Sequence, residues 1–365
     1  MTVPDAGPQL PAGVSLRPWA EGDDLRLLEL WGDPTDAQHH QDRAMLRPSS
    51  TRPDEPWARC LVAEDEGIPV AAAVVYASSV HPQRLWFYAE TARELRGRGL
   101  ATALLTALRA EAEGARAEGT LATTELKTRF AVASAALPDT APDGADGAAS
   151  GDARAEAGSA AAGAQLDLAS GPVKHPAAPF LAGQGFSPLQ RSRRIAVGPG
   201  VITAPELDGT GLAVEDLATG SVELTQAVAA FYAATHAWDP SDLSVGRAQQ
   251  LLLGPATGAS GAVVLRSKPK AQGGGIDAFA LSYTPERTED PTDVLLGWNP
   301  ELAPLDAQTA AASLLALLTT QYPVQLEVDD SMDILTPILD QLVTTGHARV
   351  LLDTRIWATD VPDAP

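Results

Sequence analysis

Two arginines and two glycines alternate in the stretch Glu94-Leu95-Arg96-Gly97-Arg98-Gly99-Leu100-Ala101, set between an apolar run, Leu85-Trp86-Phe87-Tyr88-Ala89, and a helical pattern. The chemistry such a stretch can do is anion binding. The first turn of a helix leaves N–H groups unpaired and presents the positive end of the helix dipole. Gly97 and Gly99 let a phosphate approach the backbone with no Cβ in the way, and Arg96 and Arg98 add positive charge. Taken alone, the run also fits a tight turn with solvated arginines. A nucleotide P-loop is excluded, because no Gly-Lys-Ser/Thr stands at the helix start. A Rossmann fingerprint fits poorly: Ala101 would have to replace its third glycine, and several elements precede the motif.

The elements that must position this loop follow from periodicity. The apolar run reads as a buried strand, and Leu100, Leu104, Leu105 and Leu108 mark one face of a helix that stops near Gly114. Upstream, residues 14–17 alternate as a strand. Asp23 or Asp24 can cap a helix carrying Leu25, Leu28 and Trp31, and a second helix is expected over 35–45. Residues 57–63 and 68–76 form a hairpin around Asp65-Glu66-Gly67, and residues 121–128 read as the strand after the motif helix. His39 and His40 are adjacent, so they point apart on a helix, which favours a surface position. Residues 133–171 are mostly Ala, Gly, Asp, Ser and Pro; they cannot bury enough surface to offset their ordering entropy, and disorder is expected. They form an expanded loop or a flap over the cleft. Order resumes at His175, with a strand over 189–197.

The order strand, two helices, three strands, helix, strand, together with Arg96-x-x-Gly99-x-Ala101, resembles the GCN5-related N-acetyltransferase (GNAT) family. The resemblance implies that the loop amides hold the pyrophosphate of acetyl-CoA, with residues Arg96, Gly97, Arg98, Gly99, Leu100, Ala101 and Thr102 at the cofactor. It also implies that the strand bearing Tyr88, Ala89 and Thr91 splays from the next one and bonds the pantetheine arm. Phe180-Leu181-x-x-x-Gly185-Phe186 is similar to the family's Phe-Tyr-x-x-x-Gly-Phe ending. The family often has a tyrosine at the second position to protonate the departing thiolate; Leu181 cannot donate a proton.

The second half repeats the order more loosely. Strands are expected at 212–217, 261–266, 276–283, 294–298, 324–328 and 348–357, and helices at 222–233, 242–253, 334–343 and after Asp306. Each half nears its end with a helix, a glycine (Gly185, Gly346) and a strand containing Arg-Ile (Arg194-Ile195, Arg355-Ile356), which reads as an internal duplication. The fold class expected is α/β (α+β): two tandem GNAT-like units, each a mixed, mostly antiparallel twisted sheet flanked by helices. The first spans 13–198 and the second, degenerate unit 210–360. In the second unit the junction Asn299-Pro300-Glu301-Leu302-Ala303-Pro304-Leu305-Asp306 has no glycine, two residues without N–H donors and two carboxylates that repel phosphate, so no cofactor site is expected there. Residues 235–240 either line an acceptor pocket or form a capped loop around Trp238.

Composition narrows the partners. A net charge of −21 argues against a nucleic-acid surface and suits a cationic substrate, or simply solubility. Cys60, the one cysteine, lies in an apolar strand pattern and reads as a buried inert thiol. No apolar run approaches the length of a membrane span and no signal peptide stands at the start, so a cytoplasmic protein without membrane partner is expected, as monomer or homodimer. No metal site is expected. The function that the resemblance implies is transfer of an acetyl group from the co-substrate acetyl-CoA to a small-molecule or peptide primary amine, by direct attack in a ternary complex. Glu90, at the end of the motif strand, is the candidate base and Glu125 the next candidate. The alternative is a non-catalytic acyl-CoA-binding sensor or interaction module.

Overall fold

The structure, a computed structural model, describes residues 10–35, 37–49, 55–132, 175–284, 291–320 and 322–361. Residues 133–171, expected to be disordered, lie outside the described residues. The first half runs β1 (Val14–Pro18), α1 (Asp23–Trp31), α2 (Ala37–Arg43), β2 (Ala58–Asp65), β3 (Ile68–Ala77), β4 (Leu85–Thr91), α3 (Leu100–Ala117), β5 (Leu126–Val132), α4 (Ala177–Gly183) and β6 (Ser187–Val197). The second half runs β7 (Ala213–Leu217), α5 (Val222–Thr235), α6 (Val245–Ala248), β8 (Ala259–Arg266), β9 (Ala278–Tyr283), β10 (Thr292–Trp298), α7 (Pro304–Leu318), β11 (Val324–Asp329), α8 (Thr336–Thr344) and β12 (Ala348–Ala358).

The strands form one twelve-stranded sheet in the order β1-β2-β3-β4-β5-β12-β6-β11-β10-β9-β8-β7. Among the described residues only β4–β5 and β10–β11 pair in parallel; the other pairs are antiparallel. The sheet is mixed and mostly antiparallel, as expected, but the two halves share it and exchange their last strands. β12 lies against β5, with Arg355 opposite Phe130 and Ile356 opposite Arg129, while β6 lies against β11, with Ile195 opposite Leu326. The two Arg-Ile strands then pair with each other at the centre of the sheet. Nothing in the order of elements reveals this exchange, because returning each strand to its own half would give the same sequence pattern.

In the first half the sheet is covered on both faces. The apolar stripe of α3, with Leu104, Leu105 and Leu108 fully buried, packs on Val75, Leu85 and Phe87. Each such leucine is worth about 1.5–3 kcal/mol of burial. On the other face Leu27 of α1 packs with Trp19, Cys60, Val62 and Val74. Burial pushes the Cys60 thiol up to about 12, so it is inert. The second half has one core in which Leu224, Val228 and Phe231 of α5 meet Leu314 and Leu315 of α7 through the sheet.

Several boundaries differ from expectation, each for a local reason. Gly114 lies inside α3, where the continuing buried stripe (Ala112, Ala115) outweighs its poor helix propensity. The strand expected at 121–128 is β5, shifted toward the C-terminus. The N–H groups of Thr120 and Leu121 bond back to Ala115 O and consume the start of the segment in the helix end. Asp23 does not cap α1; Gly22 is the N-cap, and Asp23 is buried, binding Arg17 twice at 2.7 Å. The helix expected over 242–253 is capped by Ser244 and ends in a wider π-helical turn over Gln249–Leu253.

Candidate active site

β4 and β5 pair only at Leu85–Leu126 and Trp86–Lys127, then diverge. The other edge of β4 stays bonded to β3 along its length, so the β5-facing edge of residues 87–91 is left unpaired. A cleft of about 940 Å³ fills the gap and reaches the start of α3. Residues 87–91 and 128–131 form its two sides.

At the wide end, Gly97 (φ 76°) and Gly99 (φ 83°) adopt the left-handed conformation that other residues resist. A Cβ on either would meet nothing within 4 Å, so both face open space. Gly99 is the N-cap of α3, and the first backbone bond of the helix is Ala103 N–H to Gly99 O. The N–H groups of residues 97–102 make no hydrogen bond among the described residues. Arg96 lines the cleft, its Nε donating to Thr91 O at 3.3 Å. Tyr88, Ala89, Thr91, Leu100, Ala101 and Thr102 line it too, whereas Arg98 is exposed and does not. His175 stacks on Phe130 at 4.8 Å and lines the cleft as well.

The two carboxylates proposed as bases part company. Glu125 precedes β5 at the closed end, where its carbonyl accepts from Leu85 N–H and its carboxylate from Thr359 Oγ1 at 2.7 Å. It does not line the cleft. Glu90 does line it, but its oxygens are committed. Arg43 donates twice at 2.7 Å, Tyr88 Oη once at 2.7 Å, and His39 Nε2 lies at 3.2 Å. Burial would raise the Glu90 carboxyl, but the bonds from Arg43, Tyr88 and His39 outweigh it and hold it below the usual range. A carboxylate so held is a weak proton acceptor, and Glu90 organises the wall instead.

Sequence reasoning missed that wall. His39, expected on the surface, faces the cleft while His40 is exposed, as adjacent helical residues must. The usable signal was the i, i+4 spacing of α2: His39 and Arg43 converge on Glu90, and Gln38 bonds Asp42, which accepts from Arg129. Leu181 is buried at the cleft, so the proton donor that the resemblance implies is not supplied at that position.

Residues 235–240 do not enter the cleft. Asp239, buried, receives Lys127 Nζ, and Arg84 Nη1 at 3.1 Å, while His81 bonds Asp239 O at 2.6 Å and Tyr232 Oη at 2.7 Å. Of the two readings, the structure gives neither a pocket wall nor a capped loop alone, but a polar clasp between the halves. Among the described residues no histidine, cysteine, aspartate or glutamate cluster could hold a metal ion, and no helix is long and apolar enough to cross a membrane.

Residues 24–133 match the model of the Acetyltransferase (GNAT) family. The fold is similar over nearly the whole chain to a GCN5-related N-acetyltransferase from Sphaerobacter thermophilus, at 14% identity and a TM-score of 0.53, covering 96% of each chain. It is equally similar to a tandem GNAT protein from the clavulanic acid biosynthesis pathway, at 14% identity and a TM-score of 0.52, covering 96% of this chain and 100% of that one. No curated protein sequence matches the chain. The match to the GNAT family model thus falls on residues 24–133, around the loop and the cleft, and the whole chain has the fold of the tandem GNAT protein.

Proposed function

We propose that the protein transfers an acetyl group from acetyl-CoA to a primary amine in the first-half cleft. The observation that carries this reading is the row of open N–H groups at residues 97–102, at the mouth of a cleft between two splayed strands. Those amides and Arg96 suit the cofactor's pyrophosphate. The unpaired edge of β4 suits the amides of the pantetheine arm, and it points the thioester toward the closed end of the gap. An N–H on that edge beyond Trp86 would receive the developing oxyanion. The amine enters from the α2 side. It attacks as the neutral species; the N–C bond forms, the C–S bond breaks, and the sulfur leaves with the proton that nitrogen loses.

A second reading has one observation in its favour. Leu181 removes the expected proton donor, and a CoA-binding sensor would need none. The two separate on turnover. Calorimetry should show CoA binding, and incubation with acetyl-CoA and an amine panel should release free thiol. CoA binding without thiol release from any amine would favour the sensor. No binding of CoA or acetyl-CoA would defeat both.

A further inference from the structure

This inference rests on the N-acetyltransferase reading above and concerns the acceptor. On the α2 side of the cleft, α2 and β5 meet in an ion pair with one unused group at each end. Arg129 donates through Nε at 3.0 Å and Nη2 at 2.8 Å to Asp42 Oδ1, which also accepts from Gln38 Nε2 at 3.2 Å. Asp42 Oδ2 and Arg129 Nη1 have no hydrogen bond among the described residues, and both side chains line the cleft. Of the charges near the pair, Arg43 is spent on Glu90 and Lys127 on Asp239.

The pair is also held in place. The Arg129 guanidinium lies over the Trp86 ring at 5.3 Å, and its backbone is pinned opposite Ile356 of β12. It stands two residues past the last β4–β5 pairing, Trp86 with Lys127, at the narrow end of the gap. That is where the far end of a cofactor anchored at residues 97–102 arrives. One carboxylate oxygen and one guanidinium nitrogen, on side chains that are bonded to each other and line the same cleft, are thus left without a hydrogen bond among the described residues. Their complement is an ammonium and a carboxylate close together on one molecule.

We infer that the acceptor is a small amino-acid-like zwitterion, its ammonium taken by Asp42 Oδ2 and its carboxylate by Arg129 Nη1. An amine without the carboxylate leaves the Arg129 charge facing a like charge with nothing between them. The ammonium gives one proton to Asp42 Oδ2 and attacks as the amine; the second nitrogen proton leaves with the CoA sulfur as the C–S bond breaks. Burial holds the Asp42 carboxyl above the usual carboxylate range despite Arg129, which makes it a better proton acceptor than Glu90.

Thiol release tests this with glycine, alanine and serine against their carboxylate-free counterparts methylamine, ethylamine and ethanolamine. The best amino acid should exceed its counterpart in kcat/KM by roughly 10- to 100-fold, the size of one charge-assisted contact. In Arg129→Gln that ratio should fall to about one, and Arg129→Lys should restore part of it. Each variant is first shown to bind CoA, which certifies the fold. Equal or better rates with the carboxylate-free amines, or an unchanged ratio in Arg129→Gln, would overturn the inference while leaving the acetyltransferase reading intact. Failure of the wild-type protein to bind CoA would remove that reading and this inference with it.

Discussion

The two halves of the chain run through the same succession of strands and helices and part at one junction, where the fourth strand turns into the long helix. In the first half this turn is left-handed at Gly97 and Gly99, and six consecutive N–H groups, residues 97–102, are left open. In the second half the turn spends three of its N–H groups on the protein. Asn299 N–H bonds Asp277 O at 2.9 Å, Glu301 N–H bonds Asn299 Oδ1 at 3.0 Å, and Leu302 N–H bonds Asn299 O at 3.2 Å. Pro300 and Pro304 have no N–H to offer, and Asp306 puts negative charge into the first turn of α7. The same strand-to-helix corner is therefore an anion cradle or a closed turn according to a handful of residues. What the second half supplies instead is support: β12 holds β5, and Asp239 reaches across to Lys127.

The sharpest way to break this contrast is Gly99→Glu. The substitution forces a Cβ onto a φ of 83° and places a negative charge at the positive end of α3. CoA affinity should fall by more than about 100-fold, since both the phosphate approach and the local charge are lost. The measurement is calorimetric titration of CoA, with circular dichroism to show that the fold persists. Retained affinity would mean that the cofactor sits elsewhere.

Next in size is the clasp through which the second half supports the first. Asp239→Asn leaves buried Lys127 and Arg84 without their shared carboxylate. Breaking one partner of a buried pair costs about 3–5 kcal/mol, and part of that cost is recovered if Lys127 gives up its proton. Burial already lowers the Lys127 ammonium despite Asp239. Denaturant unfolding should show the loss. A change below about 0.5 kcal/mol would mean that the two halves do not depend on the clasp.

How much of this contrast was readable beforehand follows from the range of each interaction. Gly97, Gly99 and the helix behind them are local, so their conformation was legible from spacing, and so was the prolines' closure of the second corner. The Arg-Ile repeats marked a duplication, yet which strand lies beside which is a long-range matter, and the exchange of β6 and β12 leaves no local trace. Glu90 was placed in the cleft, but its three partners come from α2 and β4, and only those partners decide that it stays ionised. Glu125 lies outside the cleft because the start of its segment belongs to the end of α3, which leaves the residue ahead of β5 at the closed end of the gap. Asp42 and Arg129 lie 87 positions apart and became a pair only in space.

A smaller effect separates two buried carboxylates, one in each half. Glu90 has Arg43 at 2.7 Å, while Asp329 has only His236 at 3.7 Å, and burial keeps that histidine near a pKa of about 4, hence neutral. Burial, with Glu327 and Asp330 nearby, raises the Asp329 carboxyl to about 7 despite a bond from Ser192. A raised carboxyl favours the folded state below its unfolded value of 3.8, and that advantage is lost as pH rises through about 7. Asp329→Asn should therefore gain stability relative to the parent as pH rises from about 4, levelling off above 7, with an upper bound of about 4 kcal/mol. Melting temperatures across that pH range give the slope. A gain that grows toward acid pH would contradict the assignment.

The smallest expected effect is the one that tests whether glycine alone makes the cradle. Replacing Asn299 and Glu301 together by glycine removes the side-chain acceptor that closes the second corner and one of its carboxylates. It does not give Pro300 or Pro304 an N–H, and Asp306 still faces any incoming phosphate. CoA stoichiometry by calorimetry should therefore stay at about one per chain, with the first-half affinity unchanged within about twofold, as expected for surface changes far from a site. If a second equivalent of CoA bound, the prolines and the acidic first turn would not be what silences this half, and the contrast would reduce to two missing glycines.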